Sequence, residues 1–289
     1  IDNDILLIDR CFGFDTAVEE AQRALLAAKV EASSAFRGLA IVKLMGRQSG
    51  FIATQASLSS GVVDVCLIPE VPFSLGGRGA LLTFSSLSFS GCVFFTGKKK
   101  LAFFKNHFLS KKKKTGGLIA HLTKLIERKG HAVVCVAEGA GQDLLSGAAT
   151  AGGGAVNVER DASGNPILAD VGPWLKSELK KGIPEADVKL IDPSYTIRSV
   201  AANSADRVLC KVLAHNAVHA AFAGYSGVTV GLVNTHYVYL PTPLLILAPR
   251  RVDPRSKAWN RLRSSLKQPS LLGDGDSEWE YEDEYGNKS

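Results

Sequence analysis

The first four residues of the chain carry two carboxylates separated by one residue. They read IDND, with Asp2 and Asp4 at alternate positions. In an extended segment alternate side chains point the same way, so we expect both carboxylates to lie on one face. Close carboxylates suit a division of labour, in which one takes a proton while the other holds a metal ion or a hydrogen-bond network. Taken without its surroundings, the same tetrapeptide is more typical of a loop than of a catalytic site.

Charged residues also follow several apolar runs that are predicted to be strands. Arg47 follows the first run, Glu70 the second and Glu138 the third, each beside Gly or Pro, and Tyr195 and Arg198 follow a later one. In open α/β sheets, ligands bind beyond the carboxyl ends of the strands. A guanidinium and carboxylates gathered there would suit a ligand with phosphate and hydroxyl groups. Each charge considered singly is also consistent with a solvated loop.

Helices and short apolar strands alternate along the parts of the chain that carry these residues. Apolar spacing predicts helices at 17–32, 51–61, 117–130 and 208–227, the second and third closed by Gly. Apolar runs predict strands at 38–46, 62–70, 131–141, the start of 187–199, and 229–241. Such alternation indicates a parallel sheet covered on both faces, and hence the α/β class. A Gly-rich stretch at 143–166 is typical of a polar loop.

The net charge of +6 comes from a single segment. Residues 78–114 contain nine basic residues and no acidic one, whereas the rest of the chain is slightly acidic. The basic character is therefore local, and it does not make the whole chain a binder of nucleic acid or membranes. The five cysteines form no C-x-x-C pair, which favours a reducing compartment.

Six motifs, in their order and spacing, resemble the phosphofructokinase family, and most closely its plant-type ATP-dependent 6-phosphofructokinases. The motifs are IDNDILLIDRCFGFDTAVEEAQRA, VKLMGRQSGFIA, LIPEVPF, AVVCVAEGAGQ, IDPSYTIR and NTHYVYLP. The resemblance covers roughly residues 1–77 and 115–255. It implies a phosphofructokinase-like fold of two Rossmann-like α/β domains, with the N-terminal nucleotide-binding half largely missing from this sequence.

Position by position, the resemblance implies an acceptor site for fructose 6-phosphate. Asp2 matches the catalytic base that takes the proton of the 1-hydroxyl, and Asp4 matches the partner carboxylate near Mg²⁺. Arg47 matches an arginine that stabilises charge on the transferring phosphoryl group, and Glu138 matches the carboxylate that holds sugar hydroxyls. The other implied substrate-binding residues are Ile1, Met45, Gly46, and the pair Tyr195 and Arg198, which grips the 6-phosphate. Lys189 lies where some relatives carry a basic residue that reaches the phosphate from a neighbouring subunit.

The resemblance also implies a division of the chain. Residues 1–12 would end the nucleotide-binding domain, 13–200 would bind fructose 6-phosphate, 201–250 would return to the nucleotide-binding domain, and 251–289 would be an extension with an acidic disordered tail. The family's Gly-rich ATP loop lies N-terminal to IDND, so we expect no nucleotide-binding residues in this sequence. The GAGQ and GGG runs do not replace that loop, because neither has P-loop or Rossmann spacing.

Segment 78–114 interrupts a bend that the family passes through directly. It holds two lysine runs and seven of the thirteen phenylalanines. This composition resembles translated A- and T-rich non-coding sequence, so a retained intron or gene-model error is the leading interpretation. The alternatives are a genuine insertion that binds anionic membrane or nucleic acid, and a buried structural element.

The implied activity is that of an allosteric ATP-dependent 6-phosphofructokinase, which forms fructose 1,6-bisphosphate in glycolysis with Mg²⁺ and ATP. The implied state is a homo-oligomer of two or four copies, in the cytoplasm or a plastid, with neither nucleic acid nor membrane as partner. Two alternatives stay open. Pyrophosphate could replace ATP as the donor, or the chain could be a catalytically silent fragment or regulatory partner.

Overall fold

A four-stranded parallel sheet forms the centre of the protein. The computed structural model describes residues 1–76, 117–145 and 167–271. The strands are β1 (Gly38–Leu44), β2 (Val65–Leu67), β3 (His131–Ala137) and β4 (Asp187–Ile191), and they pair in parallel in the order β2-β3-β1-β4. Segment 78–114, residues 146–166 of the Gly-rich stretch and the acidic tail lie outside the described residues.

Four helices cover this sheet, and their ends follow local sequence signals. They are α1 (Phe14–Ser34), α2 (Phe51–Ser60), α3 (Leu118–Lys129) and α4 (Val171–Gly182). Gly61 ends α2 and Gly130 ends α3, both in the left-handed conformation that closes a helix by a backbone hydrogen bond. The helices predicted at 51–61 and 117–130 are therefore confirmed, together with their glycine caps.

Both faces of the sheet are buried, as the α/β prediction requires. Along β1, Leu39 and Ile41 pack on one face against α3 and α4, while Ala40, Val42 and Leu44 pack on the other against α1 and α2. Side chains along β1 therefore alternate between the two cores, although the sequence of β1 is continuously apolar up to Val42. The predicted fold class is confirmed.

The chain after β4 leaves the sheet. Its elements are α5 (Ser194–Arg198), α6 (Ser204–Phe222), β5 (Val228–Val233), β6 (His236–Pro241), α7 (Thr242–Leu245) and α8 (Lys257–Leu266). The prediction of one strand at 229–241 is wrong, because β5 and β6 form an antiparallel hairpin. Asn234 and Thr235 both have positive φ, which is the requirement of a tight two-residue hairpin turn. Within the described residues no helix has the length and apolar character to cross a bilayer.

The first three strands are shorter than predicted, and this matters for the site. The runs at 38–46, 62–70 and 131–141 contain only the strands Gly38–Leu44, Val65–Leu67 and His131–Ala137. The functional candidates Arg47 and Glu138 therefore lie just beyond their strands, at the carboxyl edge of the sheet. Ligands of open α/β sheets bind at this edge, beyond the carboxyl ends of the strands.

Asp206 joins the later part of the chain to the start of α1. Its carboxylate is fully buried in the first turn of α6, and it accepts hydrogen bonds from the backbone N–H of Gly13 (2.9 Å) and Thr16 (2.8 Å) and from the Thr16 hydroxyl (2.5 Å). These donors include orphan N–H groups of the first turn of α1. The side chain therefore caps a helix that lies almost two hundred residues away in sequence.

We expect Asp206→Asn to lower the free energy of unfolding by about 2–4 kcal/mol, because the amide group would oppose buried donors with donors of its own. Chemical denaturation of the 289-residue chain measures this. Asp187→Asn is the control, since that side chain is 48% exposed in a surface ion pair. Equal stability of the two variants would contradict the capping role.

Candidate active site

The IDND motif forms a loop and not an extended strand. Asn3 has a φ of 58°, in the left-handed region that Asn tolerates better than most residues. Its buried side chain accepts a hydrogen bond from the N–H of Cys11 (2.9 Å) and donates to the carbonyl of Asp9 (3.5 Å). The expectation that residues 1–4 are extended is therefore wrong, although the charge of Asp4 still acts on Asp2. The loop is shaped by the residue between them.

Residues distant in sequence hold this loop against the sheet. The N–H of Arg250 donates to the carbonyl of Asp4 (2.7 Å), and its guanidinium donates to the carbonyl of Ile8 (2.8 Å) while lying 5.0 Å from the ring centre of Phe51. The hydroxyl of Ser49 donates to the carbonyl of Asp2 (3.2 Å). Sequence reasoning missed Arg250, because its partners are main-chain carbonyls that leave no pattern of residue types.

Backbone pairing continues past β1 and β3 and brings Arg47 close to Glu138. The N–H of Glu138 donates to the carbonyl of Leu44 (2.9 Å), and the N–H of Gly139 donates to that of Gly46 (3.1 Å). A Cβ atom on Gly139 would lie 2.0 Å from the carbonyl oxygen of Arg47, so only glycine permits this approach. The side chains of Arg47 and Glu138 then meet with Nε and Oε1 3.9 Å apart.

The helix α5 brings a second arginine to the same place. The Nε of Arg198 lies 3.2 Å from the sulfur of Met45, which is the first residue after β1. Tyr195 lies one turn earlier on α5, and its side chain is 83% exposed. The two residues predicted to bind the 6-phosphate are therefore placed differently. Arg198 packs against Met45, whereas Tyr195 faces solvent.

Two carboxylates of this cluster are harder to ionise than usual. Burial raises the pKa of Asp2, and the negative charge of Asp4 raises it further, while Arg198 and Arg47 lower it; the result lies above the ordinary 3.8. Burial also raises the pKa of Glu138, which a hydrogen bond from the N–H of Gly46 lowers and the charge of Asp2 raises again. Asp2, Glu138, Arg47 and Arg198 therefore form one electrostatic unit.

This arrangement can accept a proton and hold an anion at the same place. A carboxylate with a raised pKa is a better base near neutral pH than an ordinary aspartate. Two arginines beside it can neutralise phosphate charge through charge-assisted hydrogen bonds. The chemistry that fits this set is transfer of a phosphoryl group to a hydroxyl, which needs positioning and charge stabilisation more than a protein nucleophile.

The site also has the chemistry for Mg²⁺. Mg²⁺ is commonly held by one or two carboxylates together with substrate phosphates, and it keeps several waters. Asp4 lies close enough to Asp2 to raise its pKa, so two carboxylates are available side by side. Among residues 1–76, 117–145 and 167–271 no group of three or more His, Cys, Asp and Glu side chains is arranged as a metal site.

The remaining predicted residues are placed differently. Ile1 is 45% exposed and lies against Gly13. Lys189 lies in the middle of β4, in register with Ala40, and forms a surface ion pair with Asp187 at 3.5 Å. It is therefore well below the sheet edge that carries Met45, and the role of reaching another subunit stays a prediction.

Glu70 has an internal role and is not part of the cluster. One carboxylate oxygen accepts hydrogen bonds from the N–H of Gly50 (2.9 Å) and of Val252 (2.8 Å). The side chain therefore braces the start of α2 against the chain that leads to α8. The sequence offered two interpretations of Glu70, as part of a ligand site or as a solvated loop charge. Both are wrong, because its carboxylate binds backbone N–H groups inside the protein.

Comparisons with known proteins point to one family. The phosphofructokinase profile matches residues 1–83. The chain is 49% identical over 276 residues to ATP-dependent 6-phosphofructokinase 5, chloroplastic, of Arabidopsis thaliana, an alignment that covers 94% of this chain and 43% of the relative. It is 37% identical to the ATP-dependent 6-phosphofructokinase of Amycolatopsis methanolica, covering 94% of this chain and 52% of the relative.

This chain belongs to the phosphofructokinase family. Among solved structures, this phosphofructokinase chain is similar to the pyrophosphate-dependent phosphofructokinase of Marinobacter aquaeolei, with a TM-score of 0.57 at 17% identity over 94% of this chain and 58% of that one. It is also similar to the phosphofructokinase of Saccharomyces cerevisiae, with a TM-score of 0.53 at 18% identity over 92% of this chain and 25% of that one. The predicted fold family is thereby confirmed. The chain spans about half the length of the curated relatives that it matches.

The raised pKa of Asp2 gives a test that needs no activity. The folded protein holds a proton on Asp2 more tightly than the unfolded chain does, so the wild type loses stability relative to Asp2→Asn as the pH rises above 3.8. We expect Asp2→Asn to raise the midpoint of thermal unfolding at pH 7, and the gain to shrink as the pH falls towards 3.8 and to vanish well below it, where the aspartate is protonated in both states.

Asp9→Asn is the matched control for this measurement, because it removes an exposed carboxylate from the same loop. Its midpoint should stay equal to that of the wild type at both pH values. A lower midpoint for Asp2→Asn at pH 7 would show that the neighbouring arginines, and not burial and Asp4, dominate the environment of Asp2.

Proposed function

We propose that the native polypeptide containing this chain is an ATP-dependent 6-phosphofructokinase, which transfers the γ-phosphoryl group of ATP to O1 of fructose 6-phosphate. The observation that carries the proposal is the half-buried Asp2, whose pKa is raised while Arg47 and Arg198 act on it from the same sheet edge. The names of the curated relatives support the same activity. Formation of fructose 1,6-bisphosphate would place the reaction in glycolysis.

In this mechanism Asp2 accepts the proton of the 1-hydroxyl as O1 forms its bond to the γ-phosphorus and the bond from that phosphorus to ADP breaks. Arg47 stabilises the charge that spreads over the transferring group. Glu138 accepts hydrogen bonds from sugar hydroxyls, and Arg198 binds the 6-phosphate. Ile1, Met45, Gly46 and the exposed Tyr195 complete the substrate contacts.

Asp4 is the residue that would hold Mg²⁺, which when bound neutralises phosphate charge and orients the donor. ATP would be held by residues outside this sequence, in agreement with the chain spanning about half of its relatives. Asp4 also has a role without the ion, since its negative charge keeps the pKa of Asp2 raised.

We further propose the domain division 1–12, 13–200, 201–250 and 251–289. The four-stranded sheet ends at Ile191, and the hairpin β5–β6 belongs to a separate sheet. A cavity of about 550 Å³ lies between the N-terminal loop, α6 and β5. Its apolar lining, together with the 90% exposed Phe222 at the end of α6, would suit packing against the remainder of the nucleotide-binding domain.

A cytoplasmic or plastid location and a homo-oligomeric state remain part of the proposal. The chloroplastic label belongs to one relative and does not choose between the two compartments. Lys189 lies on β4, the outermost strand of the sheet, and far from the carboxyl ends of the strands where the site of its own chain lies. A site shared between subunits would give this basic residue a ligand in the neighbouring copy. Neither nucleic acid nor membrane is expected as a partner.

The proposal is tested by assaying the longest native polypeptide that contains these residues with fructose 6-phosphate, supplying ATP or pyrophosphate in separate reactions with Mg²⁺. We expect fructose 1,6-bisphosphate with ATP, detected by ³¹P NMR. Product formed with pyrophosphate and not with ATP would show that pyrophosphate is the phosphoryl donor. The absence of product with both donors would favour the silent or regulatory alternative, and the same assay on the 289-residue chain measures what this part does by itself.

Within an active protein, Arg47→Ala should lower kcat by about 10³-fold, in the range of other arginines that act on a transferring phosphoryl group, and change KM for fructose 6-phosphate much less. Steady-state kinetics separate the two effects. Arg37→Ala is the control, because Arg37 pairs with Glu185 at the opposite end of β1. A loss confined to KM would assign Arg47 to ground-state binding of the sugar phosphate.

A further inference from the structure

Lys43 occupies an unusual position for a lysine. It lies on β1, two residues before Met45, and only 15% of its side chain is exposed. Its ammonium group contacts Asp192 Oδ2 at 2.7 Å and Asp170 Oδ1 at 3.1 Å. The ammonium group loses much of its contact with water, whereas the side chains of Asp170 and Asp192 stay 56% and 42% exposed. The two carboxylates offset the cost of desolvating the lysine.

The directions of the pKa shifts agree with an ion pair between Lys43 and Asp192. Burial lowers the pKa of Lys43, but the hydrogen bonds and charges of Asp192 and Asp170 more than compensate, and the pKa lies above its ordinary value. For Asp192, burial raises the pKa, while Lys43 and Ser194 lower it to below the ordinary 3.8. Lys43 and Asp192 therefore each favour the charged form of the other.

Each carboxylate also holds the beginning of a helix. Asp192 Oδ1 accepts hydrogen bonds from the N–H (3.1 Å) and hydroxyl (2.5 Å) of Ser194, the first residue of α5. Asp170 Oδ1 accepts a hydrogen bond from the N–H of Gly172 in the first turn of α4. Lys43 thus ties β1 to the beginnings of two helices at the edge of the sheet where the candidate site lies.

The link through Asp192 closes a loop of contacts around the site. Lys43 pairs with Asp192, and Asp192 accepts hydrogen bonds from Ser194 at the start of α5. At the end of α5, Arg198 contacts Met45, which lies two residues after Lys43. Helix α5 has only five residues, and its single buried side chain, Ile197, packs into the core beside α1. The link through Asp192 is therefore a second fixed point, at the start of the helix.

We propose that Lys43 is a positioning residue for the sugar-phosphate site, acting through Asp192 to hold α5 so that Arg198 and Tyr195 face the ligand. This inference rests on the proposed function, because that function assigns the 6-phosphate to α5. Lys43 does not itself touch the substrate in this role. A competing role, in which Lys43 only adds positive potential to the site, makes the opposite prediction for Asp192.

The test uses the 289-residue chain and measures the dissociation constant of fructose 6-phosphate by calorimetry. Lys43→Met and Asp192→Asn should each weaken binding about tenfold or more, since small misplacements of binding groups carry large penalties. The loss in the double variant should be smaller than the two single losses combined, because both changes break the shared Lys43–Asp192 link. Lys181→Met is the control, since Lys181 forms only a surface pair on α4.

Several outcomes would overturn the inference. If Lys43 supplied only charge, Asp192→Asn would bind fructose 6-phosphate as tightly as the wild type or more tightly. Unchanged affinity in Lys43→Met would also overturn it, as would additive losses in the double variant. A melting temperature in the control range for the single variants keeps these results separate from a general loss of structure.

A second measurement keeps the inference testable if the wild-type chain does not bind fructose 6-phosphate, a result that would count against the proposed function alone. Hydrogen exchange of the amides of residues 194–199 should then be faster in Lys43→Met and Asp192→Asn than in the wild type. The amides of α1 should exchange equally in all of these proteins. Equal exchange of 194–199 in wild type and variants would overturn the positioning role.

Discussion

The candidate site depends on one main-chain constraint, which is the pairing of β1 and β3 beyond the ends of both strands. Hydrogen bonds from Glu138 to Leu44 and from Gly139 to Gly46, at 2.9 and 3.1 Å, continue the parallel ladder into two loops. The loops can approach this closely only because residue 139 has no Cβ atom. A guanidinium and a carboxylate are therefore presented by paired backbone, which fixes their geometry better than independent loops would.

Two carboxylates next to this paired backbone destabilise the folded protein when they are ionised. Burial and like charge raise the pKa of Asp2, and burial raises that of Glu138, so their ionised forms oppose folding at neutral pH. The compensation lies nearby in groups that carry no chemistry: Asn3 shapes the first loop, and buried Asp206 caps α1. Sites built in this way exchange some stability for reactivity.

Sequence patterns anticipated the helices better than the connections. The glycines after α2 and α3 ended both helices as predicted, because a left-handed cap is a local property of the chain. The hairpin β5–β6 was missed because its turn is Asn234-Thr235, and Thr is not a typical residue for the positive φ that it adopts. Glu70 was misread because its partners, the N–H groups of Gly50 and Val252, are backbone atoms without a sequence signature.

The sequence by itself determined the α/β class, the family and the residues that could do chemistry, because apolar periodicity and the order of six motifs are properties of the linear chain. It also showed that the basic character is confined to residues 78–114. Only the tertiary structure decided which charges act together. It joined Asp2 to Glu138, Arg47 and Arg198, turned Glu70 inward, left Lys189 in the middle of a strand, and revealed Lys43 between two carboxylates. The physical reason is that electrostatic coupling depends on distance and burial, and neither can be read from positions along the chain.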